Sequence, residues 1–260
     1  MTPAIAHCTM RCLFCWRIQS NDIKIDFDET VMKEWDSPAT IVEGAVRAQK
    51  RVLSGYKAHA KRDEKRYLEA LRPKHAAISL AGEPTLYPEL SGLVKEFHRR
   101  KLTTFIVTNG TVPKALETLS EEPTQLYVSL SAPKEEVFRR VCRPQVEGAW
   151  QKLNKTLELL SSFTCPTVLR LTLVKHLNLM DAEGYARLIA KAEPTYVEAK
   201  AYVYVGMSRH RLKYENMPTH TEIKDFGEEV SRLTGYRLLD ESIPSRVVLL
   251  SRLAKPIKLA

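Results

Sequence analysis

The chain has 260 residues, 44% of them hydrophobic and 27% charged, and its 40 Lys and Arg against 31 Asp and Glu leave a net charge of +9 and a pI near 9.3. That length suits one large domain with a substantial core, so 1–260 is read as a single domain, and the positive balance favours a polyanionic partner such as nucleic acid. No apolar run reaches the roughly eighteen residues of a membrane span and no secretory leader is present, which predicts a cytoplasmic protein with no membrane partner.

In chain order, apolar or β-branched runs alternate with amphipathic stretches. "TPAIA" (2–6), "HAAISLA" (75–81), "TTFIVTN" (103–109), "TQLYVSLS" (124–131), "TVLRLTLV" (167–174) and "YVEAKAYVYV" (196–205) predict strands. "ATIVEGAVRAQKRVLSG" (39–55), "ELSGLVKEFHRR" (89–100), "GAWQKLNKTLELLSS" (148–162) and "MDAEGYARLIAKA" (180–192) predict helices, because apolar residues return every three or four positions. Strand–helix alternation predicts an α/β fold with parallel strands inside and helices outside, curled into a full or partial barrel; separate α+β layers are the alternative. No Gly/Ser linker or fixed repeat divides the chain. The basic stretch 57–75 reads as a solvated helix face or a flap, and 97–101 and 208–213 add basic clusters.

In such folds chemistry gathers at the carboxyl ends of the strands. Four polar sets fall there: Cys8, Cys12 and Cys15; Gly82, Glu83 and Pro84; Asn109 and Gly110; Ser129 and Ser131. The first set is the densest, because "HCTMRCLFCWR" (7–17) holds three of the five cysteines. Clustered thiols in a reducing compartment bind metal or do redox chemistry more often than they form disulfides. A structural zinc site closes with four ligands, commonly two close pairs, and here Cys142 and Cys165 stand apart and read as small buried apolar residues. Three thiolates can instead hold a four-iron cluster with one iron open to a substrate. Zinc completed by His7 or a distant residue, and a purely structural thiol cluster, are the alternatives.

Cys8, Cys12 and Cys15, with the aromatic Phe14, match the CxxxCxΦC signature of the radical S-adenosylmethionine (SAM) enzymes, and "AGEP" (81–84) resembles their GGEP stretch with Ala81 in place of the first glycine. The resemblance implies a partial (β/α)6 barrel, a 4Fe-4S cluster on the three thiols, and SAM chelating the open iron. It implies further that the backbone at Phe14 meets the adenine, that Gly82, Glu83 and Pro84 approach the methionyl part, and that Asn109, Ser129 and Ser131 contact SAM. Local capping is the plainer role for the last three.

"CLFCWR" (12–17), "AISLAGEPTLYP" (77–88), "TTFIVTNGT" (103–111), "PTQLYVSLSAP" (123–133), "EAKAYVYVGMSRHRL" (198–212) and "SRVVLL" (245–250) together resemble the tRNA 4-demethylwyosine synthase family of wybutosine biosynthesis. That resemblance implies a lyase acting on N1-methylguanosine at position 37 of tRNA-Phe, with pyruvate as second substrate and an external electron donor. It makes Arg17 and Lys200 candidate catalytic residues, and Arg17, Lys200 and Arg209 candidate RNA contacts at the pocket mouth; a local cap or ion pair is the alternative for Arg17, and a packed stem with a solvated head for Lys200. Tyr202 and Tyr204 could face a base or lie in the core. Relatives carry an amino-terminal segment with three further cysteines for a second 4Fe-4S cluster and a lysine proposed to form an imine with pyruvate. The ligands of that cluster are absent from these residues, so a shortened chain or a one-cluster form is expected, able to bind SAM without completing the pyruvate step. A radical SAM activase or small-molecule enzyme, and a non-catalytic RNA-binding metal protein, are the competing functions; the oligomeric state is open.

Overall fold

A computed structural model describes residues 1–23 and 28–259. Five parallel strands, β1 (His75–Ile78), β2 (Thr103–Thr108), β3 (Gln125–Ser129), β4 (Thr167–Leu173) and β5 (Tyr196–Ala201), are followed by an antiparallel pair, β6 (Arg237–Ser242) and β7 (Val247–Ser251). They form one open sheet in the order β1-β2-β3-β4-β5-β7-β6. The helices are α1 (Ser20–Ile23), α2 (Pro38–Ser54), α3 (Glu64–Ala70), α4 (Leu90–Arg99), α5 (Pro113–Glu117), α6 (Glu135–Cys142), α7 (Ala149–Leu159), α8 (Ala182–Ala192) and α9 (His220–Thr234). The expected α/β class, with a largely parallel sheet and crossover helices, is what the chain adopts.

Each parallel strand alternates between two faces. Ile106, Leu126, Val128, Leu169, Leu171 and Val197 point into the core shared with the helices. On α4, Leu90, Leu93, Val94 and Phe97 form one buried stripe against α2 and β2, each contributing roughly 2 kcal/mol by leaving water. The opposite strand face carries Val107, Ser129, Arg170, Thr172 and Lys200, and the register sets Ser129 beside Arg170 and Thr172 beside Lys200. Polar residues of three strands therefore share one surface.

Two expectations are corrected, and one pair of strands is new. Residues 2–6 form no strand: the Met1 ammonium donates to the Ala77 carbonyl and the Met1 carbonyl accepts from the Ser79 N–H, both at 2.8 Å. Pro3 then offers no N–H and the chain turns, with His7 N–H on the Ala4 carbonyl. The strand expected over 196–205 stops at Ala201, because Val203 and Val205 swing away over the site. The β6–β7 pair, which extends the sheet past β5, was not predicted as strands. Among the helices, α9 begins with a capping box, Thr219 with Glu222, that its sequence announces.

The basic clusters are largely consumed locally. Arg99 and Arg100 both lie on Glu96, at 2.8 and 2.9 Å, and the stretch 57–75 contains α3, capped by Asp63. Among the described residues no helix is long and apolar enough to cross a membrane.

Candidate active site

A cavity of about 560 Å³ opens at the carboxyl ends of β1 to β5. Cys8, Cys12, Cys15 and Phe14 line it from one side, and Gly82, Glu83, Asn109, Ser129, Ser131 and Lys200 from the strand ends. Eight residues expected on one rim, the three cysteines with Gly82, Glu83, Asn109, Ser129 and Ser131, thus line one cavity, although no strand leads into the thiol loop.

The thiol loop has no regular structure, so long-range bonds hold its shape. Cys8 N–H donates to the Glu29 carbonyl at 2.7 Å, Arg11 N–H to Arg143 at 3.1 Å, and Leu13 N–H to Val141 at 2.9 Å. The last two tie the loop to the end of α6. Cys142, the final residue of α6, is buried against Cys12 and lines the same cavity. Its separation in sequence hid this, and the expectation that it stands apart is corrected; Cys165 does stay away from the cavity.

Burial pushes the Cys8 thiol up to about 12, with Glu83 and Cys12 adding to it. The Cys12 thiol is raised by its contact with Cys142 and then by burial, and Cys15 by burial. Such thiols ionise only when a cation arrives to hold the thiolates. Among the described residues no three metal-binding side chains converge as a single ion requires. Three thiols on the wall of one cavity fit a thiolate-held four-iron cluster.

The 81–84 turn works mainly on the protein itself. Gly82 has φ +77°, and a Cβ there would sit 1.7 Å from the Ala4 carbonyl oxygen, so only glycine lets the turn close on the leader of the thiol loop. The next N–H, of Glu83, donates to the His7 carbonyl at 2.8 Å. The Glu83 carboxylate is buried and already accepts four bonds: from Thr85 N–H (3.0 Å), Thr85 Oγ1 (2.6 Å), Thr108 Oγ1 (2.6 Å) and Asn109 N–H (2.7 Å). Burial still leaves it above the usual carboxylate range. Pro84 is buried, starts a short 3-10 turn and does not line the cavity.

Asn109 splints the loop: its Nδ2 donates to Thr9 Oγ1 at 2.8 Å and approaches Cys8 Sγ at 3.8 Å, while Oδ1 accepts from Thr111. Ser131 differs. Its Oγ is buried, has no partner among the described residues and belongs to the cavity wall, which marks it as a hydroxyl available to a ligand.

Two residues expected at the pocket mouth are elsewhere. Arg17 is 5% exposed and absent from the cavity wall, paired with Glu29 at 2.8 Å and donating to the Ile18 carbonyl at 3.1 Å. A buried guanidinium needs its carboxylate, and that pairing removes it from solvent and substrate. Arg209 is exposed outside the cavity, its guanidinium 5.8 Å from the Tyr204 ring centre. Tyr202 is buried with its hydroxyl 2.9 Å from Ser208 Oγ, and Tyr204 packs edge-on to Tyr214. Lys200 alone of the three basic candidates lines the cavity.

Sequence reasoning missed Arg170, Glu29 and Arg211. Arg170 lines the cavity and forms a two-bond pair with Glu198 at 2.8 and 3.1 Å, a cross-strand partnership visible once β4 and β5 are aligned. Glu29 and Arg211 gave no local signal, since their partners are set by the fold.

Residues 3–189 match the Radical SAM superfamily, and residues 191–252 match the family described as Wyosine base formation. The S-adenosyl-L-methionine-dependent tRNA 4-demethylwyosine synthase of Pyrococcus horikoshii is 50% identical over 256 residues, covering 97% of this chain and 74% of that protein. The protein of the same name from Methanocaldococcus jannaschii is 40% identical over 250 residues, covering 96% and 79%. A structure of TYW1 with a lysine-pyruvate adduct bound matches with a TM-score of 0.84 at 37% identity, covering 96% of this chain and 78% of that one. The chain belongs to the radical SAM superfamily and, within it, to the family of S-adenosyl-L-methionine-dependent tRNA 4-demethylwyosine synthases.

Proposed function

We propose that this chain converts N1-methylguanosine at position 37 of tRNA-Phe, together with pyruvate, to 4-demethylwyosine, as a radical SAM carbon–carbon lyase. One observation carries the reading. The three thiols of the superfamily segment open on a cavity whose facing wall, Lys200 with Ala201, Tyr202, Val203 and Val205, comes from the Wyosine base formation segment. Cluster chemistry and family-specific residues share a single space.

Membership of the superfamily implies a 4Fe-4S cluster and SAM. Cys8, Cys12 and Cys15 would hold the cluster, which supplies the electron that splits SAM into methionine and a 5'-deoxyadenosyl radical. Phe14, the Gly82 backbone, Asn109, Ser129 and the unpartnered Ser131 hydroxyl would seat SAM; Glu83 and Pro84 would act beneath them by fixing the turn. Lys200 offers an ammonium to the pyruvate carboxylate inside the cavity, and Arg209 offers charge to RNA phosphates outside it. The adduct in the related TYW1 structure supports pyruvate as the second substrate. The sheet that runs unbroken from β5 into β7 and β6 supports treating the chain as one domain, and a tRNA substrate fits a cytoplasmic location.

The test is anaerobic reconstitution, reduction by a chemical or protein electron donor, and assay of 5'-deoxyadenosine and of the base at position 37. About four irons per chain and formation of the tricyclic base are expected. A protein that holds its cluster yet never cleaves SAM, or that closes its thiols around zinc, ends the reading.

A further inference from the structure

Four large apolar side chains ring the cavity mouth while facing water: Trp16, Leu80, Val203 and Val205, between 42% and 65% exposed. Apolar surface left at the entrance of a cavity otherwise lined with polar strand ends marks a contact site. Of the three tryptophans, Trp35 bonds Glu89 through its N–H at 3.0 Å and Trp150 packs on Phe138 with ring centres 5.3 Å apart. Trp16 instead belongs to the cavity wall, directly after Cys15.

Its backbone is held in place. The Trp16 carbonyl accepts the Met207 N–H at 2.9 Å, and Gly206, at φ +57°, packs so closely that an added Cβ would lie 2.4 Å from that carbonyl oxygen and 3.1 Å from the Trp16 Cβ. Leu80 has φ +95°, a conformation that a branched apolar residue adopts only under strain, and it keeps its side chain in water there. An indole on a pinned backbone and a strained leucine, both on the wall of this cavity, can serve as two walls of a slot.

We infer that this slot receives the unpaired purine of the substrate RNA loop, with Trp16 as its stacking platform and Leu80 as the opposing apolar wall. The inference rests on the RNA reading above. Unstacked bases bind proteins by stacking on aromatic faces, while nearby cations meet the backbone. Lys200 inside and Arg209 outside supply those cations, so charge complementarity favours a nucleotide over an apolar peptide. Stacked on Trp16, the base would hang over the thiol loop that carries Cys15, where the proposed reaction needs it. Trp16 and Leu80 are thus positioning residues that touch substrate.

The test compares two anticodon stem-loops, one with N1-methylguanosine at position 37 and one abasic there, binding to the reconstituted holoenzyme with SAM. Wild type should prefer the base-bearing loop by about 10-fold. Trp16→Ala should bring both loops to the abasic affinity, Trp16→Phe should keep most of the preference, and Leu80→Ala should lose part of it. Should Trp16→Ala not fold, Trp16→Leu, which keeps apolar bulk without a π-face, decides in its place. A folded Trp16→Ala that keeps the wild-type preference, or that loses SAM affinity in place of RNA affinity, overturns the inference alone. Wild type that binds neither loop overturns the RNA reading and this inference with it.

Discussion

Arg211 pairs with Asp22 at 2.8 Å, both side chains 9% exposed, and the same guanidinium donates to the carbonyls of Cys15, Leu13 and Arg17. One residue of the Wyosine base formation segment therefore holds three carbonyls of the thiol loop. A planar fork with five donors can do this; an ammonium cannot. Arg211→Ala should cost about 3 kcal/mol, because it leaves Asp22 and several carbonyls without their partner, and Arg211→Lys should recover only part. Urea unfolding measures the loss, and iron content after reconstitution should fall with it. Full iron loading in Arg211→Ala would show that the loop keeps its shape unaided.

Glu29 makes a pH prediction. Burial pushes its carboxyl up, but hydrogen bonds from Ser20 and Arg17 outweigh burial and hold it below its ordinary value of 4.5. A carboxyl depressed in the folded state contributes stability above its unfolded value and loses it as pH falls through the folded value. The unfolding free energy should therefore drop below about pH 4.5, and the drop should be shallower in Glu29→Gln, which starts lower at neutral pH because Arg17 is left unpaired. Urea midpoints across a pH series give the comparison, and parallel acid limbs would refute the assignment.

Three glycines should respond differently to alanine. Gly82→Ala meets the Ala4 carbonyl and should cost more than about 4 kcal/mol or prevent folding. Gly206→Ala meets the Trp16 carbonyl and should displace the indole, weakening RNA binding more than SAM binding. Gly44, inside α2 with nothing within 4 Å of an added Cβ, should gain about 0.5–1 kcal/mol in Gly44→Ala from helix propensity. Thermal midpoints rank the three.

Cys142 lies against Cys12 but is not one of the three loop thiols. Cys142→Ala should still load about four irons, whereas Cys12→Ser should lose the cluster. Iron and sulfide analysis decides this, and loss of loading in both variants would make Cys142 a participant in assembly.

Sequence pattern alone determined the strand–helix alternation, the helices α2, α4, α7 and α8, the thiol spacing of Cys8, Cys12 and Cys15, and the placing of Gly82, Asn109, Ser129 and Ser131 after their strands or at their ends. These are local properties: hydrophobic period, turn residues and thiol spacing act within a few positions of one another. Tertiary structure decided the rest. Pro3 and a single pair of edge bonds could not sustain the first predicted strand, and β6–β7 completes the sheet only because β5 offers β7 an edge. Arg17 turned inward to Glu29, Cys142 came to Cys12, and Arg211 reached back to the thiol loop. A buried charge or thiol takes whatever partner the packed chain brings within a few ångströms, and that distance bears no relation to separation along the sequence.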